Sequence, residues 1–359
     1  MVAPLPRYWL ALHPDLERPI GGVKQMHRFA EALTACGRQA TVIQEQAGFH
    51  PGWFRSAVAT IGLKQWRQQA WRSAVELSPE RDVVVLPETF LNVFERYAPG
   101  LPKLIFNQNG AYSFGTGKPK DAPDPAEVLR LYRHPELLHV LCVSEHDERL
   151  LAQGFGLGRE RVSRLVNAIE PELFRPGGGP KRRQIAYMPR KNGRDAAVVA
   201  ALLQAQPWWP GWQLVPIHKQ PQAEVARILQ ESLVFLAFGH PEGFGLPLAE
   251  ALACGCALVG YSGLGGRELL ALGAEHGVAL EVAYGDWFGF VEAVAAFNRS
   301  LQNHQPEVLA ALLSSSKAVR SRYSPYALQA SVAAALPQWE ARLRDRLPAD
   351  LMGGVAFAG

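Results

Sequence analysis

The sequence predicts an α/β protein of two doubly wound, Rossmann-like domains facing a cleft. Three observations carry that expectation. Short apolar runs of strand length alternate with amphipathic helical stretches along the 359 residues, the pattern of parallel strands joined by crossover helices. The run Gly177-Gly178-Gly179-Pro180 reads as a linker between halves of ordinary domain size. Glycine turns also follow strands in both halves, at Gly21-Gly22 and at Gly243-Phe244-Gly245, where open α/β sheets place their ligands. The expected division is 1–170, 171–325 and a terminal segment, 326–359.

In the first half, Tyr8–Leu12 reads as a buried strand. The loop Pro19–Val23 follows, then a helix with Met26, Phe29, Ala30 and Leu33 on one face. Glycines between a strand and a helix let the backbone approach a ligand closely, which singles out Gly21 and Gly22. Ala40–Ile43, Asp82–Leu86, Lys103–Phe106, Leu138–Val143 and Arg161–Val166 are the further strands. Pro87-Glu88-Thr89 leads into a helix, and Ser144 is a good N-cap for the next one. Asn107, Gln108 and Asn109 close the Lys103–Phe106 strand and are able to bind hydroxyls. Ser113–Pro125 is rich in Gly, Pro and Lys and reads as a mobile loop.

Residues 53–72 interleave Trp53, Phe54, Trp66 and Trp71 with Arg55, Lys64, Arg67 and Arg72, without an acid. Such a mixture suits peripheral membrane contact or an anionic, lipid-linked acceptor. Phe54, Val58 and Ile61 also have helical spacing and suit a core. The core reading is the one favoured here.

In the second half, Ile185–Met188 is a strand followed by Arg190, Lys191 and Arg194 and a helix from about Asp195. Trp212–Ile217 is a strand and Gln222–Glu231 a helix. The strand Leu233–Phe238 then opens the stretch around which the chain is organised, Phe238–Glu250. It is strand, glycine loop and helix. Pro247 sits in the first turn and the helix stops near Gly255. The N-terminus of such a helix offers unpaired N–H groups and partial positive charge, a ready site for a diphosphate. Glu242 at the loop and Glu250 inside the helix can both accept hydrogen bonds from hydroxyls. An anion cradle between two such acceptors suits a nucleotide sugar. Ala257–Tyr261 and Val278–Val282 are the last strands; helices dominate from Trp287, ending in an amphipathic run over 326–347 and an apolar tail from Leu351.

Composition narrows the classes. A hydrophobic fraction of 48% against 19% charged residues describes a globular chain. A net charge of +4 suits anionic substrates or an anionic surface and is too small to argue for nucleic acid. Cys36, Cys142, Cys254 and Cys256 match no metal spacing and read as buried thiols in a reducing compartment. No stretch reaches the roughly 18 apolar residues that span a bilayer. A soluble cytoplasmic protein is expected, peripheral to the inner face of a membrane only if 53–72 makes that contact.

The string EGFGLPLAEALACGCALVGYSGLGGRELL, from Glu242 through Gly265-Gly266 and Glu268, closely resembles the C-terminal signature of retaining glycosyltransferases of family 4, which have the GT-B fold. Asn167-Ala168-Ile169-Glu170 and Phe174-Arg175-Pro176 are similar to that family's connector between domains. The resemblance implies an N-terminal acceptor domain, a C-terminal nucleotide-sugar domain and a last helix crossing back to the first. It implies Gly21, Gly22, Gly243, Phe244, Gly245, Leu246 and Glu250 at the donor. Glu242 would lie on the sugar, Glu250 on the ribose, and Arg190 and Lys191 on the departing diphosphate.

It further implies an α-linked product from an α-linked donor, without metal or other cofactor. The acceptor would be a glycan, a lipid-linked molecule or a small molecule. Two departures stand out. Relatives place a His in the loop that here reads Asn107–Gly110, and they separate the basic pair that here is adjacent, with Arg194 a competitor for the second cation. A same-fold nucleotide-sugar epimerase and a non-catalytic partner subunit are the alternative readings.

Overall fold

The computed structural model describes residues 5–12, 15, 17, 19–72, 77–115 and 122–346, with the backbone alone for 69–72. In chain order the main elements of the first half are β1 (Arg7–Ala11), α1 (Gly21–Ala35), β2 (Gln39–Gln44), β3 (Ala59–Gly62), α2 (Leu63–Arg72), β4 (Asp82–Pro87), β5 (Lys103–Phe106), α3 (Pro125–Leu131), β6 (Leu137–Cys142), α4 (Glu145–Arg149) and β7 (Val162–Arg164). There follow β8 (Arg182–Tyr187), α5 (Gly193–Gln204), β9 (Gln213–Pro216), α6 (Gln222–Glu231), β10 (Ser232–Ala237), α7 (Leu246–Ala253), β11 (Ala257–Gly260), α8 (Arg267–Glu275), β12 (Ala279–Glu281), α9 (Trp287–Asn303), α10 (Gln305–Arg322) and α11 (Pro325–Asp345).

The chain divides into two compact units. The first takes the residues up to Val143, Asp147–Leu165 and the chain from Leu328; the second takes Ser144–His146 and Val166–Ala327. In the first, the described strands form a seven-stranded sheet in the order β3-β2-β1-β4-β5-β6-β7, every described pairing being parallel. β4, β5 and β6 are buried at every position, as parallel strands covered on both faces should be. The helix expected after Pro87 is a 3-10 helix, Glu88–Val93.

The segment 53–72 corrects the helical spacing read there. Ile61 belongs to β3, and Val58 precedes that strand. Phe54, Val58, Ile61 and Trp66 are nonetheless buried, and Trp66 packs on Trp9 with ring centroids 4.9 Å apart. The side chains of Trp71 and Arg72 lie outside the described residues, as do part of the 113–125 loop and the tail from Leu351.

Two buried polar networks anchor the sheet. Asp82, fully buried, accepts from Arg7 Nε at 2.7 Å, Arg7 Nη2 at 2.8 Å, Trp9 Nε1 at 2.9 Å and the Ser78 N–H at 2.7 Å. Glu340 on α11 accepts from Tyr8 Oη at 2.8 Å and from Arg38 Nε and Nη2 at 2.7 and 2.9 Å. Trp339 Nε1 donates to the same tyrosine oxygen at 2.9 Å. Burial, then the nearby Glu340 charge, holds the Tyr8 hydroxyl well above the ordinary phenol range, so it remains a donor.

The second unit holds a five-stranded sheet in the order β12-β11-β10-β8-β9, again parallel throughout. Its centre is β10, buried over its whole length. The strand order reverses between β8 and β10. In an open α/β sheet the crevice beyond the strand C-termini at such a switch point is where ligands bind.

Candidate functional site

The turns that leave β8 and β10 meet at that switch point. The β8 turn ends at Asn192, which adopts φ 51° ψ 44° and precedes α5. Its Nδ2 donates to the carbonyl of Phe238 at 2.7 Å. Lys191 Nζ donates to the carbonyl of Pro241 at 2.8 Å and pairs with Glu242 Oε1 at 3.0 Å. Arg190 is exposed, and no ion pair of the described residues uses it. The two sequence-predicted cations therefore have different surroundings: one is joined to the predicted sugar-binding carboxylate, the other faces solvent.

Glu242 is held from behind. Its N–H donates to the carbonyl of Gly263 at 2.7 Å, and its own carbonyl accepts from the Gly265 N–H at 3.0 Å. The side chain lies against two glycines, and the backbone of the loop lies against a third. A Cβ on Gly239 would stand 2.5 Å from Glu242 Oε1, one on Gly263 would stand 2.7 Å from Glu242 Cβ, and one on Gly265 would overlap the carbonyl of Gly243. Gly265→Ala should accordingly destabilise the second unit by about 1–3 kcal/mol or more, the range of an overpacked interior. Thermal denaturation checks this; an alanine variant as stable as the parent would show that the loop gives way without strain.

Gly245 opens α7 in the left-handed region, φ 84° ψ 57°, with Pro247 in the first turn. A side chain is disfavoured at that φ. Phe244 is buried and meets Tyr323 edge to face at 5.0 Å between centroids. Leu246 begins the helix, and Glu250 is buried inside it. Glu268, the last carboxylate of the motif, has a structural post. Its Oε1 accepts from Tyr323 Oη at 2.8 Å and its Oε2 from the Glu145 N–H at 2.9 Å.

In the first unit, Gly21 and Gly22 form the first turn of α1 instead of preceding it. Gln108 Nε2 donates to the Gly22 carbonyl at 3.2 Å, and a Cβ on Gly22 would stand 3.1 Å from Gln108 Oε1. Asn107 is fully buried and donates to Tyr132 Oη at 2.7 Å and Ser113 Oγ at 3.0 Å. Asn109 accepts from the Ala111 N–H at 3.2 Å, capping the short 3-10 helix Gly110–Phe114. Gln108 is the partly exposed member of the three.

Glu88, which sequence reasoning passed over as part of a turn, proves to be the anchor of this loop. It is buried and accepts from the Gln108 N–H at 2.9 Å. Burial pushes its carboxyl up to about 7, against the lowering effect of the backbone N–H groups it accepts from. Its position directly after an apolar strand was the available signal.

Residues 213–300, all within the second unit, match the family model of glycosyl transferases group 1. An alpha-1,6-glucosyltransferase of Actinobacillus pleuropneumoniae serotype 7 (strain AP76) is 26% identical over 221 residues, covering 60% of this chain and 61% of that relative. Sucrose-phosphate synthase from Thermosynechococcus elongatus superposes with a TM-score of 0.65 at 14% identity, over 93% of this chain and 99% of that one. Anabaena HepE, solved in complex with UDP-glucose, superposes with a TM-score of 0.63 at 14% identity, over 92% and 99%.

The fold is GT-B. WaaG, a glycosyltransferase involved in lipopolysaccharide biosynthesis, shares this GT-B fold with a TM-score of 0.62 at 12% identity, over 91% of this chain and 98% of its own. Among the described residues of this GT-B chain, no group of His, Cys, Asp and Glu is placed to hold a metal, and no helix is long and apolar enough to cross a membrane.

Proposed function

We propose that the protein is a retaining, metal-independent glycosyltransferase that moves a sugar from a nucleotide-diphosphate sugar to a hydroxyl acceptor, in glycan, polysaccharide or glycolipid synthesis. The observation that carries this reading is the meeting of Glu242, Lys191 and the Gly245-opened α7 at the switch point of the second sheet. The diphosphate lies at the start of α7, where N–H groups and the helix dipole favour an anion. Arg190 and Lys191 stabilise the negative charge that grows as the glycosidic bond breaks. Glu250 takes the ribose hydroxyls, and Glu242 takes the sugar hydroxyls.

The acceptor hydroxyl attacks the anomeric carbon on the face the phosphate leaves. Its proton passes to the departing phosphate oxygen, so the reaction balances without a protein base. Gly21 and Gly22 serve the donor, and the Asn107–Asn109 loop serves the acceptor, Gln108 being its partly exposed amide. UDP-glucose is the first donor to test, since the HepE structure contains it. The protein works in the cytoplasm, a reducing compartment in which thiols outside disulfides, such as these four cysteines, are the rule.

Two carboxylates with separate duties make the test. Glu242→Gln should lower turnover while leaving affinity for free UDP nearly intact, because charge-assisted bonds to the sugar are weakened. Glu250→Gln should weaken UDP binding itself by about 1–3 kcal/mol. Calorimetry with UDP and turnover of UDP-glucose separate the two. Equal loss of UDP affinity in both variants would overturn the division of roles, and unchanged turnover of every donor would overturn the transferase.

A further inference from the structure

The second unit has a cavity of about 530 Å3 at the ends of β10, β11 and β12. Its floor and walls use His240, Ser262, Arg267, Glu281 and Tyr284. Tyr284 is 59% exposed, which is unusual for so large an aromatic ring on a folded surface. The ring is held in place: it lies on His240 with centroids 4.3 Å apart and an interplanar angle of 24°. Tyr261 supports it from below at 5.1 Å. Beside this platform, Ser262 Oγ donates to Glu281 Oε1 at 2.6 Å, and Arg267 Nε approaches the same oxygen at 3.4 Å.

We infer that this cavity is a saccharide subsite, taking a neutral sugar ring on the face of Tyr284 with its hydroxyls on Glu281 and Arg267. A pyranose has an apolar C–H face and a rim of hydroxyls that both donate and accept. The cavity matches both demands, with an open aromatic face beside a carboxylate acceptor and a guanidinium donor. Its volume lies in the range of small-ligand sites, roughly 300–1,000 Å3.

A nucleotide fits less well. The switch point lies between β8 and β10, whereas this cavity, which reaches the β10 turn only at His240, is built mostly on the turns after β11 and β12. Glu281 would also repel a phosphate. The cavity shares a wall with the proposed reaction site, because Leu264, which lines it, bridges to Glu242. A ring seated here is a remote sugar of the acceptor or of the growing product. That assignment rests on the transferase reading; the binding itself does not.

Saturation-transfer NMR with maltotriose and with isomaltotriose, each at millimolar concentration, tests the site on the full chain. Wild type should bind at least one of them. Tyr284→Ala should weaken that binding by about tenfold, the size of one lost aromatic stack. Tyr284→Phe should retain it, and Glu281→Gln should weaken it several-fold. UDP affinity by calorimetry should be the same in all four proteins. Absence of saccharide binding by wild type, or binding that Tyr284→Ala leaves untouched, overturns the subsite. Absence of UDP binding by a wild type that still binds saccharide overturns the donor reading and leaves the subsite standing.

Discussion

Glu340→Ala should destabilise the first unit by about 3–5 kcal/mol, the range seen when one partner of a buried ion pair is removed. The carboxylate is 5% exposed and accepts from three donor atoms, Tyr8 Oη and two guanidinium nitrogens of Arg38. Alanine would leave the tyrosine hydroxyl without its acceptor and a guanidinium only 19% exposed without its counter-charge. Both are penalties of unmet groups, larger than the net worth of the bonds when made. Urea titration should show one transition moved and a second, from the other unit, unmoved. Glu340→Gln should fall between parent and alanine, since it keeps an acceptor and loses the charge. A shift below about 1 kcal/mol for alanine would show that α11 can relax around the loss.

Arg190→Ala should lower turnover by about 10²–10³, as when an electrostatic donor at a developing charge is removed. The argument turns on what Arg190 does not do. It is exposed and outside the ion pairs of its unit, so its removal should leave stability within about 0.5 kcal/mol of the parent. Lys191→Ala is a different experiment. That side chain also holds the Pro241 carbonyl and neutralises Glu242. Its loss should disturb the position of the carboxylate, and its effect should fail to add to that of Glu242→Gln. Steady-state kinetics with UDP-glucose, read beside the melting temperature, distinguish the cases. Full turnover in an Arg190→Ala protein would remove it from the leaving-group site.

The second sheet was the more legible in the sequence. Its central strands β10 and β11 are apolar runs bounded by turns, and α6 begins and ends at Gln222 and Glu231 as its pattern predicts. The glycine loop and helix from Gly243 were legible because capping and turn residues act locally. The first unit hid more. β3 has four residues with two of them buried, set in a segment of Trp and Arg, and it offers no alternation to read. α3 lies just beyond a stretch read as loop.

In the sites, residue types were visible and partners were not. Nothing in the sequence places Gly263 and Gly265 against Glu242, or turns Asn107 inward to Tyr132 while leaving Gln108 partly exposed. Those contacts join residues whose separation is bridged only by the order of strands in each sheet.

That order also has a temporal side. The chain leaves the first unit at Leu165 and returns to it at Leu328, after the second unit's main segment, Val166–Ala327, has been threaded. During synthesis from the amino end, Tyr8 and Arg38 are made before that segment, and the carboxylate that satisfies them is made after it. Until α11 emerges, the seven-stranded sheet waits with that corner unmet, whereas almost everything the five-stranded sheet needs has already been supplied. Birth order and maturation order are therefore opposed: the half that starts first is the half that finishes last.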